Sequence, residues 1–470
     1  MTQLVWFRND LRVADNAALT AACKNGGPIH ACFIVTPGQW QEHDWSPARV
    51  SLVLDHANAL SRRLAELGIP MTFITTPDFR SGINKLSELC KARSIRHLHF
   101  NEEYGINERL RDKAVKAEMD SLGVQVNKYR DQTVAPVGSI LTQQDEPYSV
   151  FTPFSRSWRR WIDDNRPSVF PVPAPVGEPV KPERFDNSAL FPAEFPEPPP
   201  ALVKTGEDAA HTQLEQFLNE RVGDYKALRD LPAVNGTSMI SPYLANGVLS
   251  GRQCLTATQE RQSQGGNQEG LTTWTSEIAW RDFYINILYH YPRVSMHRAF
   301  KPETDTLTWN TPGDKFEAWK SGQTGIPIVD AAMRQLNQTG WMHNRLRMIT
   351  AMFLTKNLFI DWRLGEAYFM SKLVDGFLAS NNGGWQWSAS TGTDAAPYFR
   401  VFNPATQSER FDPNGDFIRQ YVPELNKFDN KQIHEPGKKG VLPKGYPRPI
   451  VDLKESRKAA IEKFQALKKD

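Results

Sequence analysis

Over the first 130 residues, short apolar runs alternate with helical repeats. Leu4–Phe7, Ile29–Val35, Met71–Thr75, His97–Asn101 and Val124–Tyr129 have strand length and polar flanks. Between the second and third runs, Val50, Val53, Leu54, Ala57, Leu60 and Leu64 recur at helical spacing. This predicts a helix over Ser46–Leu67, with Ser46 as its cap, Pro47 in its first turn and Gly68 closing it in a left-handed conformation. Strand and helix in strict alternation predict an open parallel sheet covered by helices on both faces.

From Pro167 to Pro200 the pattern breaks. This stretch holds 11 of the chain's 33 prolines, which remove backbone donors and block helices. It reads as an extended connector lying across the surface. After Ala201 helical periodicity dominates, with long helices predicted at Leu271–Tyr289, Ile326–Leu336 and Trp341–Asn357. An irregular stretch follows Ile433, before a last helix. The expected organisation is an α/β domain over 1–130, a connector over 131–200 and a nearly all-α domain over 201–470.

Composition narrows the class. A chain of 470 residues accommodates two or three domains at roughly 100–200 residues each, and 40% hydrophobic residues supply their cores. The formal charge of +3 neither requires nor excludes a nucleic-acid partner, because clustering matters more than the sum. Cys23, Cys32, Cys90 and Cys254 are far apart, with no CxxC pair, so no disulfide framework or zinc site is read and a cytoplasmic setting is expected. The opening MTQLVWFRNDLR lacks the charged-then-apolar order of a leader, and no apolar run reaches the ~18 residues of a membrane span.

The familiar nucleotide and hydrolase signatures are missing: no GxGxxG follows the first strand, and GxxxxGK[ST], HExxH and GxSxG are absent. Tryptophan is the anomaly. Eight of 13 lie between Trp274 and Trp387, far above an even spread. Large aromatics commonly fill helical cores, yet these stand beside polar groups in three clusters. In the first, Trp274, Glu277 and Arg281 share one helical stripe with Trp280 beside it, and a carboxylate among aromatics must be paired, protonated or facing a ligand. In the second, Trp341 precedes Asn344, Arg345, Arg347 and Met348. Residues 331–363 also carry Arg334, Lys356 and Arg363 against the single acid Asp361, so the basic stretch is either a solvated face or a phosphate contact. In the third, Asn381 and Asn382 lead through two glycines to Trp385 and Trp387, where amides and an open backbone suit a planar ligand.

Read in order, VWFRNDLRVADN, GTSMISPYLANGVLS, WTSEIAWRDFY, GIPIVDAAMRQLNQTGWMHNRLRMITAMFLTKNL, DWRLGEAYF and NNGGWQWSASTGTDAAPYFRVFNP resemble the photolyase/cryptochrome family over nearly the whole chain. The similarity is greatest to bacterial members that repair cyclobutane pyrimidine dimers. The resemblance implies an α/β antenna domain joined to a helical domain holding FAD. It also implies light-driven electron transfer from reduced anionic FAD, splitting the dimer in UV-damaged DNA. A cytoplasmic, nucleoid-associated monomer is expected. The alternative is a cryptochrome-type photoreceptor without repair; a DNA-binding flavoprotein without photochemistry is a third possibility.

By matching motifs, the FAD contacts implied are Tyr225, Thr237, Ser238, Ser241, Trp274, Glu277, Arg281, Trp341, Asn344, Arg347, Asp375 and Asn381. Glu277, Asn344 and Asn381 are the implied catalytic residues. The implied DNA contacts are Arg229, Glu277, Trp280, Asn344, Arg345, Met348, Trp387, Arg400 and Gln407, with Trp280 and Trp387 flanking an extruded dimer. Trp385, Trp362 and Trp309 match an electron-transfer chain that reduces oxidised flavin. Asn344 and Met348 stand where enzymes for the six-four photoproduct place histidines, and Asn381 is the residue of the repair enzymes. Phe377 departs from the pattern, since relatives often carry a carboxylate there. His43, Asn107 and Glu108 match contacts to a 5,10-methenyltetrahydrofolate antenna, although Ser295 and Met296 replace two expected neighbours. A deazaflavin is the alternative antenna.

Overall fold

A computed structural model describes residues 1–191, 193–439 and 442–467. The chain forms two compact units. One comprises Met1–Gly223, Ser238–Pro292 and Val374–Phe377; the other comprises Asp224–Thr237, Arg293–Leu373 and the described residues of Leu378–Asp470.

The first unit holds the parallel sheet. Its strands are β1 (Thr2–Phe7), β2 (Ile29–Val35), β3 (Met71–Thr75), β4 (Ile95–Asn101) and β5 (Gln125–Tyr129), in the order β3-β2-β1-β4-β5. Each begins within two residues of its predicted start. β1 lies between β2 and β4, with Val5 opposite both Ala31 and His99. Strands covered on both faces carry continuous apolar runs, and Leu4, Val5 and Phe7 are fully buried. The helix Pro47–Glu66 starts as predicted, with Ser46 Oγ accepting from the Arg49 amide at 3.0 Å. Gly68 follows at φ +76°.

The proline-rich connector runs along that helix. The amides of Val176 and Val180 donate to the carbonyls of Leu67 and Ala65 at 2.9 and 3.0 Å, and Asn58 and Ser61 bond the backbone of Phe185 and Glu183. Ahead of it, within 131–200, lies the helix Phe151–Asn165.

The motif after β1 is a buried charge lattice. Arg12 pairs with Asp131, while Arg252 pairs with Asp131 at 2.6 Å and Asp15 at 3.0 Å; all four are almost fully buried. Two guanidiniums shared by two carboxylates satisfy each other and fix the β1 loop against residue 131 and the helix Gly251–Ser263. The pair of cations holds the Asp131 carboxyl below its usual range, against the opposing pull of burial.

The second unit is helical around a core that includes Trp319, Trp362, Trp385, Phe353 and Leu346. The helix predicted over Trp341–Asn357 is shorter and widened. It starts at Asn344, because His343 Nδ1 accepts from the Arg345 amide at 3.2 Å and caps it. From Phe353 to Asn357 it opens into a π-turn, and Lys356 turns inward to donate to Ala389 O at 3.1 Å and Ser390 Oγ at 2.8 Å. The final helix is Leu453–Ala466. Among the described residues no helix is long and apolar enough to cross a membrane.

Candidate functional site

In the first unit the helix Gln268–His290 presents the tryptophan–carboxylate stripe. Asn267 caps it, accepting from the amides of Glu269 and Gly270 at 3.0 and 3.1 Å. Trp274 is buried against Phe217, with ring centroids 5.4 Å apart, while Glu277 and Trp280 are half-buried one turn on. Trp280 lies flat on Phe151, 3.6 Å between centroids and 7° between planes, with Tyr284 tilted beside it at 5.5 Å. Sequence reading missed Phe151 and Tyr284, because nothing local links Phe151 to this helix.

Arg281 donates to the carbonyls of Gln132 at 2.6 Å and Leu244 at 3.4 Å. Burial lowers its pKa, yet a guanidinium stays charged at any physiological pH. Its charge lies 5.2 Å from the Phe377 ring, so Phe377 supplies a cation–π face to Arg281. Ser241 Oγ donates to Asp375 Oδ2 at 2.7 Å, and the Ser238 carbonyl accepts from Gln213 at 2.9 Å. Next to Arg281, Asp282 Oδ2 accepts from Trp158 Nε1 and Val134 N, each at 2.9 Å, and from Ala135 N at 3.3 Å. Its other oxygen has no partner among the described residues, and burial lifts its pKa to about 6.

The second unit carries the rest of the proposed FAD set. Tyr225 is buried, with the Arg229 guanidinium 5.5 Å from its ring, and Thr237 is half-buried. Half-buried Trp341 meets His343 edge-on at 6.3 Å. Asn344 is exposed and its amide makes no hydrogen bond among the described residues. Arg345 pairs with Asp230 at 2.9 Å and lies 4.4 Å from the Phe411 ring. Arg347 Nε donates to Met342 O at 2.8 Å, and Met348 is half-buried.

The basic stretch over 331–363 is not one face. Arg334 pairs with Glu424 at 2.9 Å, Arg363 pairs with Asp305 at 2.5 Å and Asp361 at 3.1 Å, and Lys356 is wholly buried. Its charges sit on three helices and a π-turn, and acids pair with three of them, Arg334, Arg345 and Arg363. Arg345 and Arg347 lie on the helix that bears Asn344.

The helix Leu378–Ala389 concentrates the most chemistry. Asn381 is buried; its Nδ2 donates to Glu366 O at 3.1 Å, and its amide oxygen accepts no bond among the described residues. At Gly384 a Cβ would meet nothing within 4 Å, so that face is open. Trp385 is buried, with Phe369 at 4.9 Å and Trp319 at 6.0 Å, both edge-to-face. Half-buried Trp387 has no ring packed on it among the described residues. Trp362 is fully buried, with the Arg363 guanidinium 4.7 Å from its ring, and Trp309 is half-buried 4.7 Å from Phe359. Arg400 is exposed, and Gln407 is half-buried on the helix Pro404–Phe411, which Asn403 caps.

The proposed antenna contacts come together in the first unit. His43 Nε2 lies 2.9 Å from Asn107 Nδ2 and 3.2 Å from Gln39 Nε2, and its Nδ1 lies 3.6 Å from Glu108 Oε1. Two amide donors converge on Nε2, so the ring proton sits on Nδ1, toward the carboxylate. Beneath them, at the carboxyl ends of β1 and β2, a cavity of about 50 Å³ is lined by Trp6, Phe33, Trp40, Trp45 and Phe79. Trp40 and Trp45 stack at 5.1 Å, and Arg49 lies 3.6 Å from the Trp45 ring. Met296 is 55% exposed, in the second unit.

A five-stranded parallel sheet carrying an aromatic pocket, together with a helical unit rich in tryptophan and amides, defines a class, and comparison with known proteins identifies it. The DNA photolyase family matches residues 3–175, and the FAD binding domain of DNA photolyase matches residues 274–466. The deoxyribodipyrimidine photo-lyase of Salmonella typhimurium is 45% identical, covering 100% of this chain and 99% of its own length; that of Escherichia coli is 44% identical with the same coverage. Among solved structures, a class III photolyase from Agrobacterium tumefaciens superposes with a TM-score of 0.88 at 34% identity, covering 100% of this chain and 98% of its own. A cryptochrome from Synechocystis superposes with a TM-score of 0.86 at 29% identity, covering 98% of each chain. The chain belongs to the DNA photolyase family.

Proposed function

We propose that this protein is a light-dependent DNA repair enzyme that returns cyclobutane pyrimidine dimers to monomers, acting as a monomer on UV-damaged DNA in the cytoplasm, at the nucleoid. The observation that carries the reading is the helix Leu378–Ala389. It bears a buried amide whose oxygen accepts no bond and a tryptophan with no ring packed on it, both among the described residues, together with an open glycine face and a core tryptophan. Those groups suit, in turn, the flavin edge, a close planar ligand, electron relay and a stacked base.

The donor set fits FAD. Thr237 and Ser238 offer hydroxyls to a diphosphate, Arg281 adds positive charge, and Ser241, whose hydroxyl donates to Asp375 at 2.7 Å, completes this group. Trp274, Tyr225, Trp341, Arg347 and Asp375 complete the contacts, and Asn381 takes the N5 edge, where a neutral amide tolerates either protonation state. When bound, reduced FAD supplies the light-driven electron that opens the cyclobutane ring and recovers it afterwards. Glu277 and Asn344 hydrogen-bond the pyrimidine bases, and the Asn344 amide donor stabilises charge as it develops on the dimer. Trp280 arrives backed by Phe151, which holds its indole flat for stacking; Trp387 offers the second flanking ring. Extruding the lesion costs a few kcal/mol, less than for an intact pair because its stacking is already damaged. Arg229, Arg345, Arg400 and Gln407 contact the surrounding strand, with Met348 beside Asn344.

For the antenna we infer a folate held on the surface by His43, Asn107 and Glu108. A deazaflavin in the interior needs a cavity of several hundred Å³, by the usual range of ~300–1,000 Å³ for such ligands. The space beside these residues is about 50 Å³, with the Trp40–Trp45 stack in its wall. Mass spectrometry of the released chromophore identifies it, and a deazaflavin there overturns this assignment.

The decisive assay incubates the FAD-loaded protein with dimer-containing DNA, illuminated and dark. Loss of dimers only in the light is expected. No loss in either condition refutes repair and favours the photoreceptor reading. Trp385→Phe is expected to block photoreduction of the flavin while sparing repair after chemical reduction.

A further inference from the structure

The electron-relay role of Trp385 carries a consequence in the packing around it, one that rests on the function proposed above. Among the described residues the rings in contact with Trp385 are Phe369 and Trp319, not Trp362. Trp319 is fully buried, 6.0 Å from Trp385 at 73°, and in turn meets Tyr368 at 5.6 Å and 60°. Tyr368 is half-buried, and its phenol donates to Asn337 Oδ1 at 2.6 Å, an exposed side chain, and to Lys320 O at 3.1 Å. A continuous line of three oxidisable rings thus runs from the core to solvent.

We infer that Trp385, Trp319 and Tyr368 form a second electron-transfer branch, ending in a tyrosyl radical at the surface. It diverges at Trp385 from the route through Trp362 and Trp309.

Proton chemistry gives the branch its direction. A ring that loses an electron traps the charge only if it can also shed a proton. Trp385 Nε1 is buried with no hydrogen-bond acceptor among the described residues. Trp319 Nε1 faces only the Thr350 carbonyl at 3.2 Å, inside the core. Tyr368 has a polar acceptor open to water. The Lys320 and Lys372 ammonium groups, 5.9 and 5.6 Å from its ring, disfavour a cation there and drive the proton off. Burial pushes the phenol up to about 12, so it is protonated before oxidation and the proton leaves with the electron.

One electron passes from Tyr368 to oxidised Trp319, one from Trp319 to oxidised Trp385, and the electron Trp385 lost resides on the cofactor. The phenolic proton, acidified by the oxidation, is lost to bulk water at the exposed Asn337 side chain. An external thiol then returns a hydrogen atom to the tyrosyl radical, and two resulting thiyl radicals combine as a disulfide.

The test is flash excitation of the FAD-loaded protein with time-resolved electron paramagnetic resonance, which distinguishes tyrosyl from tryptophanyl radicals. Trp309→Phe should leave a long-lived radical with a tyrosyl spectrum. Adding Tyr368→Phe should remove that signal, and Trp319→Phe should remove it too if the variant folds. Absence of a tyrosyl signal in Trp309→Phe, or its persistence in Trp309→Phe/Tyr368→Phe, overturns the branch. If the unsubstituted protein yields no tryptophan or tyrosine radical at all, the relay role of Trp385 falls, and the branch with it.

Discussion

Gly365 lies in the helix Trp362–Met370, directly beneath Trp385. A Cβ built there would stand 2.2 Å from Trp385 Cη2, 2.4 Å from Cζ3 and 2.7 Å from Leu354 Cδ2. Carbon atoms rest at about 3.5–4.0 Å, so Gly365→Ala must push the indole aside by more than 1 Å, roughly. Trp385 is 2% exposed, with Phe369 and Trp319 against it, and close-packed interiors yield poorly. Two effects oppose each other. Replacing glycine by alanine inside a helix stabilises by about 1 kcal/mol, whereas overpacking a core costs about 1–3 kcal/mol and sometimes more. Gly365→Ala should therefore destabilise, by up to about 2 kcal/mol net, and should slow flavin photoreduction by displacing the first relay ring.

Gly384→Ala is the control. It is the same substitution inside a helix, but with nothing within 4 Å of the added carbon, so propensity alone acts and the variant should gain up to about 1 kcal/mol. Urea unfolding followed by near-ultraviolet circular dichroism, which reports tryptophan packing, reads both. A Gly365→Ala protein as stable as the parent, or one shifted in the same direction as Gly384→Ala, would refute the steric reasoning.

Three further outcomes are expected. Asp282 has its pKa raised from 3.8 to about 6 by burial, so its contribution to stability is full below 3.8 and is lost as pH rises through 6; Asp282→Asn should remove a pH-dependent loss of at most about 3 kcal/mol between pH 4 and 7, and an unchanged stability–pH profile counts against it. Asp131→Asn leaves Arg12 and Arg252 with one carboxylate between them and should cost about 3–5 kcal/mol in unfolding free energy, and a loss under about 1 kcal/mol contradicts the buried lattice. DNA affinity should fall with salt at a log–log slope of about −2 to −4, and exposed Arg400→Gln should flatten it by about 0.9, whereas an unaltered slope removes Arg400 from the phosphate contacts.

Much of the candidate site was legible because its signals are local. Trp274, Glu277 and Arg281 fall on one stripe of a helix whatever that helix packs against. The paired asparagines and glycines before Trp385 mark a backbone built for close approach. What stayed hidden was long-range. The basic stretch over 331–363 looks continuous along the chain, yet Arg334 finds Glu424 and Arg363 finds Asp305. Nor does any local pattern announce that Phe151 backs Trp280, or that Asp230 holds Arg345.

The five strands, the capped helix after Ser46, the proline connector and the types of residue in each cluster are all local outcomes of the chain, since periodicity, caps and proline act within a few residues. Tertiary structure alone decided which charges are neutralised, which indole has a free face, and that Trp385 touches Trp319. Those outcomes depend on groups brought together from distant parts of the chain, and neither side-chain spacing nor hydropathy along a single element encodes that proximity.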